Sequence, residues 1–374
     1  MPETKRKIGG VSREMAPMGG PGPAAPAHGD LIYNGGPVIT CPLIYATFWG
    51  SHWSDATHQA QSVRLIQFLK DLVASTWMNI MSQYGAGSGA GSGLYVQSSF
   101  ISSVPANLTD AAIHTVLQGA INAGTIPEPS ANNTTQVNVI FLDESVAVKD
   151  PTLGVVMCEP TGDNAFGYHL DFVTTKGNNC YYAVIPALDD KCINETCPGG
   201  CSLNLSETQE QRRTQVTSHE FAEMITDPKF PTGWFGASSD EIGDICNGET
   251  TTITAGSNTW NVQRIYSKTD DINTNGASFC LASAAAPIPK LPGGPVTPAT
   301  TAEVSPARFN AFKSFLPLPS SKYDHGTGKG SWDETHVRTY ARNLFYPLDH
   351  SNVFPSLPGA LRQFADILEK AAKG

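Results

Sequence analysis

The sequence predicts one α/β domain with a mixed sheet and a histidine-glutamate helix, followed by a small helical appendix. Three observations carry this. Strand-like and helix-like hydrophobic periods alternate between residues 31 and 284. A proline-rich stretch, 285–306, separates that region from the last seventy or so residues. Near the end of the alternating region a helical pattern carries His219, Glu220 and Glu223.

Residues 1–30 are Gly, Pro and Ala with scattered charges, and read as a flexible leader. LIYNGGPVITCPLIYATFWG then gathers enough β-branched and aromatic residues for a buried strand over 38–48. HQAQSVRLIQFLKDLVASTWMNIMSQYG places Val63, Ile66, Leu69, Val73, Trp77 and Ile80 at helical spacings, and Gly85 closes the pattern. GAGSGAGSG at 85–93 reads as a hinge-like loop. LYVQSSFI is a second strand, LTDAAIHTVLQGAINAG a second helix, and QVNVIFLD at 136–143 a third strand. VVMC at 155–158, YHLDF at 168–172 and YYAVIP at 181–186 follow as later strands. A helix over 206–226, with Val216, Phe221, Met224 and Ile225 as its apolar positions, ends before Pro228. TGWFGASSDEIGDICNG is a structured loop, and TWNVQRIYSK and GASFCLA a closing pair of strands. The zone 307–374 offers helices near 306–315, 332–345 and 358–372.

Composition narrows the function classes. The chain has 374 residues, of which only 16% are charged, and its net charge is −10 with no dense basic stretch, so nucleic acid and anionic membrane are poor partners. No apolar run reaches the roughly 18 residues a membrane span needs, and the first twenty residues lack a signal peptide's apolar centre. The 8 cysteines pull the other way, toward an oxidising compartment. Cys192, Cys197 and Cys201 have a C-x4-C-x3-C spacing that does not fit a zinc knuckle, which favours disulfides, and after them free buried thiols, over metal ligation.

VTSHEFAEMITDP, 216–228, bears the chemistry. On a helix His219 and Glu223, four apart, share a face and can grip one ion, while Glu220 leans to the side where it can reach metal-bound water. Glu223 stands where the H-E-x-x-H motif has its second histidine, and a carboxylate is an acceptable zinc ligand. Glu241 and Asp244, three apart in DEIGD, can aim at one site. Glu241 is the expected third ligand, and Asp244 the carboxylate that orients His219. His169, in GYHLDF, is either a metal ligand or donor to the transition state, or a structural histidine. Asp227 either bonds the helix end or serves the site as a ligand or a carboxylate behind the ligands, and Trp234, Phe235 and Tyr168 either rim a peptide groove or anchor the core.

YNGGPV at 33–38, FGYHLDF, YYAVIP, TSHEFAEMITDP and EIGDIC with a later Cys280 occur in an order that resembles the phosphate-induced protein, or EXORDIUM-like, family, in particular its microbial zincin-like members. The resemblance covers 31–282 and implies a zincin-like fold, a variant metallopeptidase helix, and a disulfide between Cys246 and Cys280. Plant relatives are associated with the cell wall. The resulting expectation is a Zn2+-dependent hydrolase of peptide or protein substrates in which Glu220 is the base and His169 an oxyanion donor. The alternative is a non-catalytic extracellular or wall-associated binding protein. Cysteine content and the resemblance favour secretion, and the missing apolar leader leaves the cytoplasm open.

Overall fold

A computed structural model describes residues 31–105, 107–150, 155–158, 164–196, 203, 205–236 and 241–295, together with 323–324 and 329–330. The chain divides into two compact units, Met1–Val296 and Thr297–Gly374. Of the second, Tyr323–Asp324 pairs antiparallel with Lys329–Gly330. The three helices expected beyond residue 306, and the leader over 1–30, lie outside the described residues.

The first unit is built on five strands: β1 (Leu43–Trp49), β2 (Leu94–Ile101), β3 (Gln136–Leu142), β4 (Tyr168–Val173) and β5 (Asn179–Ile185). Their order is β2-β1-β3-β5-β4, parallel except for β4, which runs antiparallel along β5. The sheet is therefore mixed, as the sequence predicts. The β1, β3 and β5 sequences are near-continuous apolar runs because both faces of the sheet are covered.

On one face Ile44, Phe48, Val139 and Phe141 meet helix α1 (Ala56–Ala74) through Leu65, Phe68 and Leu72. On the other, Tyr45, Ile140 and Tyr182 meet helix α2 (Asp110–Asn122) through Ile113, Leu117 and Ile121. Helix α3 (Gln209–Thr226) joins the α1 side through Val216, Phe221 and Ile225. It starts with a capping box, in which Thr208 accepts from the Gln211 amide and Gln211 reaches back to the Thr208 amide. It stops at Asp227, whose Oδ1 accepts from the amides of Thr232 and Gly233. Every side chain from Arg212 to Thr226 is buried, with each of Val216, Phe221, Met224 and Ile225 contributing roughly 1.5–3 kcal/mol by burial. Beside it lies an antiparallel hairpin of β6 (Thr250–Ala255) and β7 (Asn258–Gln263).

Several expectations need correction. The long first helix breaks after Ala74, where Ser75 turns extended, and continues as the short turns Met78–Met81 and Ser82–Tyr84. GAGSGAGSG is not a hinge: Gly87 donates to the Ile39 carbonyl, Ala90 to Asn79 Oδ1 and Gly91 to the Val73 carbonyl. Residues 284–291, read in large part as the start of a linker, are strapped to those short turns. The amides of Ala284, Ile288 and Leu291 donate to the carbonyls of Thr76, Asn79 and Gln83. The closing strands are shorter than expected, Ile265–Tyr266 paired with Cys280–Leu281. Among the described residues two disulfides, Cys158–Cys192 and Cys246–Cys280, fit an oxidising environment. Cys197 and Cys201 lie outside the described residues. No helix among the described residues is long and apolar enough to cross a membrane.

A buried carboxylate and imidazole cluster

Strand alternation decides where His169 points. Tyr168, Leu170 and Phe172 belong to the α2 side of β4, so His169 faces α3. There Nδ1 lies 3.5 Å from Glu220 Oε2 and 3.5 Å from Glu223 Oε2, and Nε2 lies 3.5 Å from Glu241 Oε1. One turn back along the helix from Glu223, His219 Nε2 is 3.1 Å from Glu223 Oε1 and 4.0 Å from Asp244 Oδ1. Glu223 thus bridges the two imidazoles. Glu241 sits against His169, and Asp244 on the Nε2 side of His219.

The group that orients His219 is one the sequence reading did not single out. Gln263 Oε1 lies 3.0 Å from His219 Nδ1, while Gln263 Nε2 donates to the Gly243 carbonyl at 2.7 Å. That carbonyl fixes the amide, because only the NH2 can donate to it. Oε1 must then accept, so Nδ1 carries a proton and Nε2 is the atom turned toward Glu223 and Asp244. Gln263 follows no local motif. It arrives from β7, 44 residues away in sequence, when the hairpin packs on α3.

Two glycines leave the room. A Cβ on Gly243 would come within 2.7 Å of His219 Nδ1 and 2.8 Å of Glu223 Oε1, and one on Gly167 within 2.7 Å of Glu220 Oε1. Arg212 and Arg213 have partners outside the cluster. Arg212 pairs with Asp190 at 2.5 Å and donates to the Leu188 carbonyl, while Arg213 donates to the Leu142 carbonyl and lies over Trp53. Trp234 and Tyr168 are buried anchors rather than a rim. Trp234 donates to the Tyr84 carbonyl, and Tyr168 donates to Asp110 on the α2 side. Asp227 lies at the end of the helix, where it holds the following turn.

The electrostatics are those of a dry site. Burial works against an imidazolium at His219 and His169, but the surrounding carboxylates, Glu223 first for His219 and Glu241 first for His169, outweigh it and raise both. Burial likewise pushes Glu220 up, and Glu241 well up, while the two histidines pull Glu223 below the usual carboxylate range. Both oxygens of Glu220, Glu223 and Glu241, both ring nitrogens of His169, and His219 Nε2 are buried without a hydrogen-bond partner among the described residues. Burying an ion costs several kcal/mol unless it is compensated. A cation held between these donors would supply the compensation, and imidazole with carboxylate is an ordinary donor set for zinc. His219, Glu223 and Asp244 form one group that could hold a metal ion, with ligand atoms within 4.8 Å of one another, and His169, Glu220 and Glu223 form a second. The residues fit a metal.

Comparison of the chain with protein-family models, curated proteins and solved structures finds no match.

Proposed function

We propose that the protein is a zinc-dependent, peptidase-like hydrolase of zincin-like fold, acting on peptide or protein substrates after secretion. The observation that carries this is the α3 constellation, in which His219 and Glu223 present neighbouring donor atoms 3.1 Å apart with Glu220 between them in sequence. The mixed sheet with its antiparallel edge strand beside that helix supports the zincin-like reading. His219, Glu223 and Asp244 would hold the ion, in which Asp244 takes the place given above to Glu241. Zinc in such a site supplies a Lewis acid and a bound water of lowered pKa. Glu220 accepts the proton of the attacking water and returns it to the leaving amine, a role suited to a carboxyl whose proton affinity burial has raised. His169, which faces Glu220 and Glu223 from the neighbouring strand, donates to the developing oxyanion.

Metal analysis of the dialysed protein is expected to give zinc, with one equivalent fewer in His219→Ala. Glu220→Gln should keep the zinc and cleave a peptide library about 10²–10⁴-fold more slowly. Protein without bound metal would overturn the proposal. The burial of all three glutamates and both histidines favours one second reading, a non-catalytic, secreted or wall-associated binding protein whose ion holds the fold together. Retained zinc with no cleavage of folded or unfolded substrates would select it.

A further inference from the structure

The strand order reverses beside β1. The β1–α1–β2 crossover moves to one side and the β2–α2–β3 crossover to the other, with the two helices on opposite faces. In open α/β sheets the crevice beyond the carboxyl ends of the strands at such a reversal is where ligands bind. Here it lies between the ends of β1 and β3, after Trp49 and Leu142.

The two loops leaving these strands are braced together. Asp143 accepts from the His52 amide through Oδ2 at 2.6 Å and from the Ser145 amide through Oδ1 at 2.8 Å, and the Ser51 amide donates to Ser145 Oγ. Three side chains converge above them. His58 Nε2, from the third residue of α1, lies 2.8 Å from Glu144 Oε2, and His52 Nδ1 lies 3.5 Å from that same oxygen. The two rings sit 5.4 Å apart. One ligand atom from each residue falls within 4.8 Å of the others, against about 3.3 Å between donors around a tetrahedral ion with bonds near 2.0–2.1 Å.

The outer contacts match a metal site too. Asp55 Oδ2 lies 2.8 Å from His58 Nδ1, the carboxylate-histidine arrangement that fixes a ligand's tautomer and leaves Nε2 for the ion. Gln209 donates to Glu144 Oε1 at 2.7 Å, which leaves Oε2 facing the two histidines. An imidazolium at His58 bridging Asp55 and Glu144 would explain that ring alone. It does not explain why His52, with 47% of its side chain exposed, aims Nδ1 at the same oxygen.

We infer that His52, His58 and Glu144 form a second, surface site for a divalent first-row transition-metal ion, with Asp55 as the positioning carboxylate. Two imidazoles and one carboxylate select zinc-like ions over Mg2+ and Ca2+. The exposure of His52 leaves the remaining coordination positions to water or an added ligand.

Equilibrium dialysis of the full, oxidised chain against Zn2+ tests this by difference, whatever the buried cluster binds. The wild type should hold one equivalent more than the His52→Ala, His58→Gln double variant, and Asp55→Asn should weaken that equivalent by about 10–100-fold. Equal stoichiometry in the wild type and the double variant would overturn the site, as would equal retention of Mg2+. Should the double variant not fold, imidazole nitrogen resonances of the wild type decide. Zn2+ should shift those of His52 and His58, and unchanged resonances at saturating Zn2+ would overturn the inference.

Discussion

Because the Gly243 carbonyl holds the Gln263 amide, the proton on His219 Nδ1 is set by a residue that carries no charge of its own. Gln263→Leu removes the acceptor and leaves the ring free to turn. Zinc affinity measured by competition with a chelator should fall about 10–100-fold while helix content is unchanged. Gly243→Ala should do at least as much, since its new methyl would lie within van der Waals exclusion of both His219 and Glu223. At this scale the sequence was legible where chemistry follows spacing along one helix, as for His219, Glu220 and Glu223. It was not legible where a role depends on two elements packing. Nothing local marks Gln263, and nothing in GSHWSDATH shows that Glu144, 86 residues beyond His58, will stand beside both histidines.

The capping box at the start of α3 stabilises a helix whose interior is crowded with polar residues. Thr208→Ala should cost about 1 kcal/mol in urea unfolding. The sheet makes a different prediction. Burial pushes the Tyr45 phenol and the Cys180 thiol each up to about 12, whereas in the unfolded chain they ionise near about 10 and about 8.5. Above those values the unfolded chain binds fewer protons than the folded one, so stability falls as pH rises toward 12. The urea midpoint should be lower at about pH 10.5 than at about pH 8, and Cys180 should resist alkylation in the folded state at about pH 8. Elements were legible where one period ran long, as in α1 and β3. The β6–β7 hairpin was missed on its first arm although the signal was present: Thr250, Thr251, Thr252, Ile253 and Thr254 are β-branched and lead into Gly256-Ser257, a two-residue hairpin turn.

For the whole molecule, the alternation of strand and helix was enough to anticipate a mixed sheet, and eight cysteines were enough to anticipate disulfides. The pairing Cys158–Cys192 was not, because it joins segments whose approach depends on the sheet order. Each of the two disulfides spans 34 residues, and loops of that length are worth about 3–4 kcal/mol in chain entropy. Reduction should lower the thermal midpoint by several degrees or more, read by circular dichroism with and without reductant. The strap over 284–291 has a practical consequence for anyone dividing this chain. A fragment ended at residue 284, where a reader of the proline content alone would cut, loses the amides that bond Asn79 and Gln83 and the side chains of Ile288 and Leu291 that pack on the core. A fragment carried through residue 295 keeps that lid of backbone, and it is the shorter of the two that should fall to proteases first.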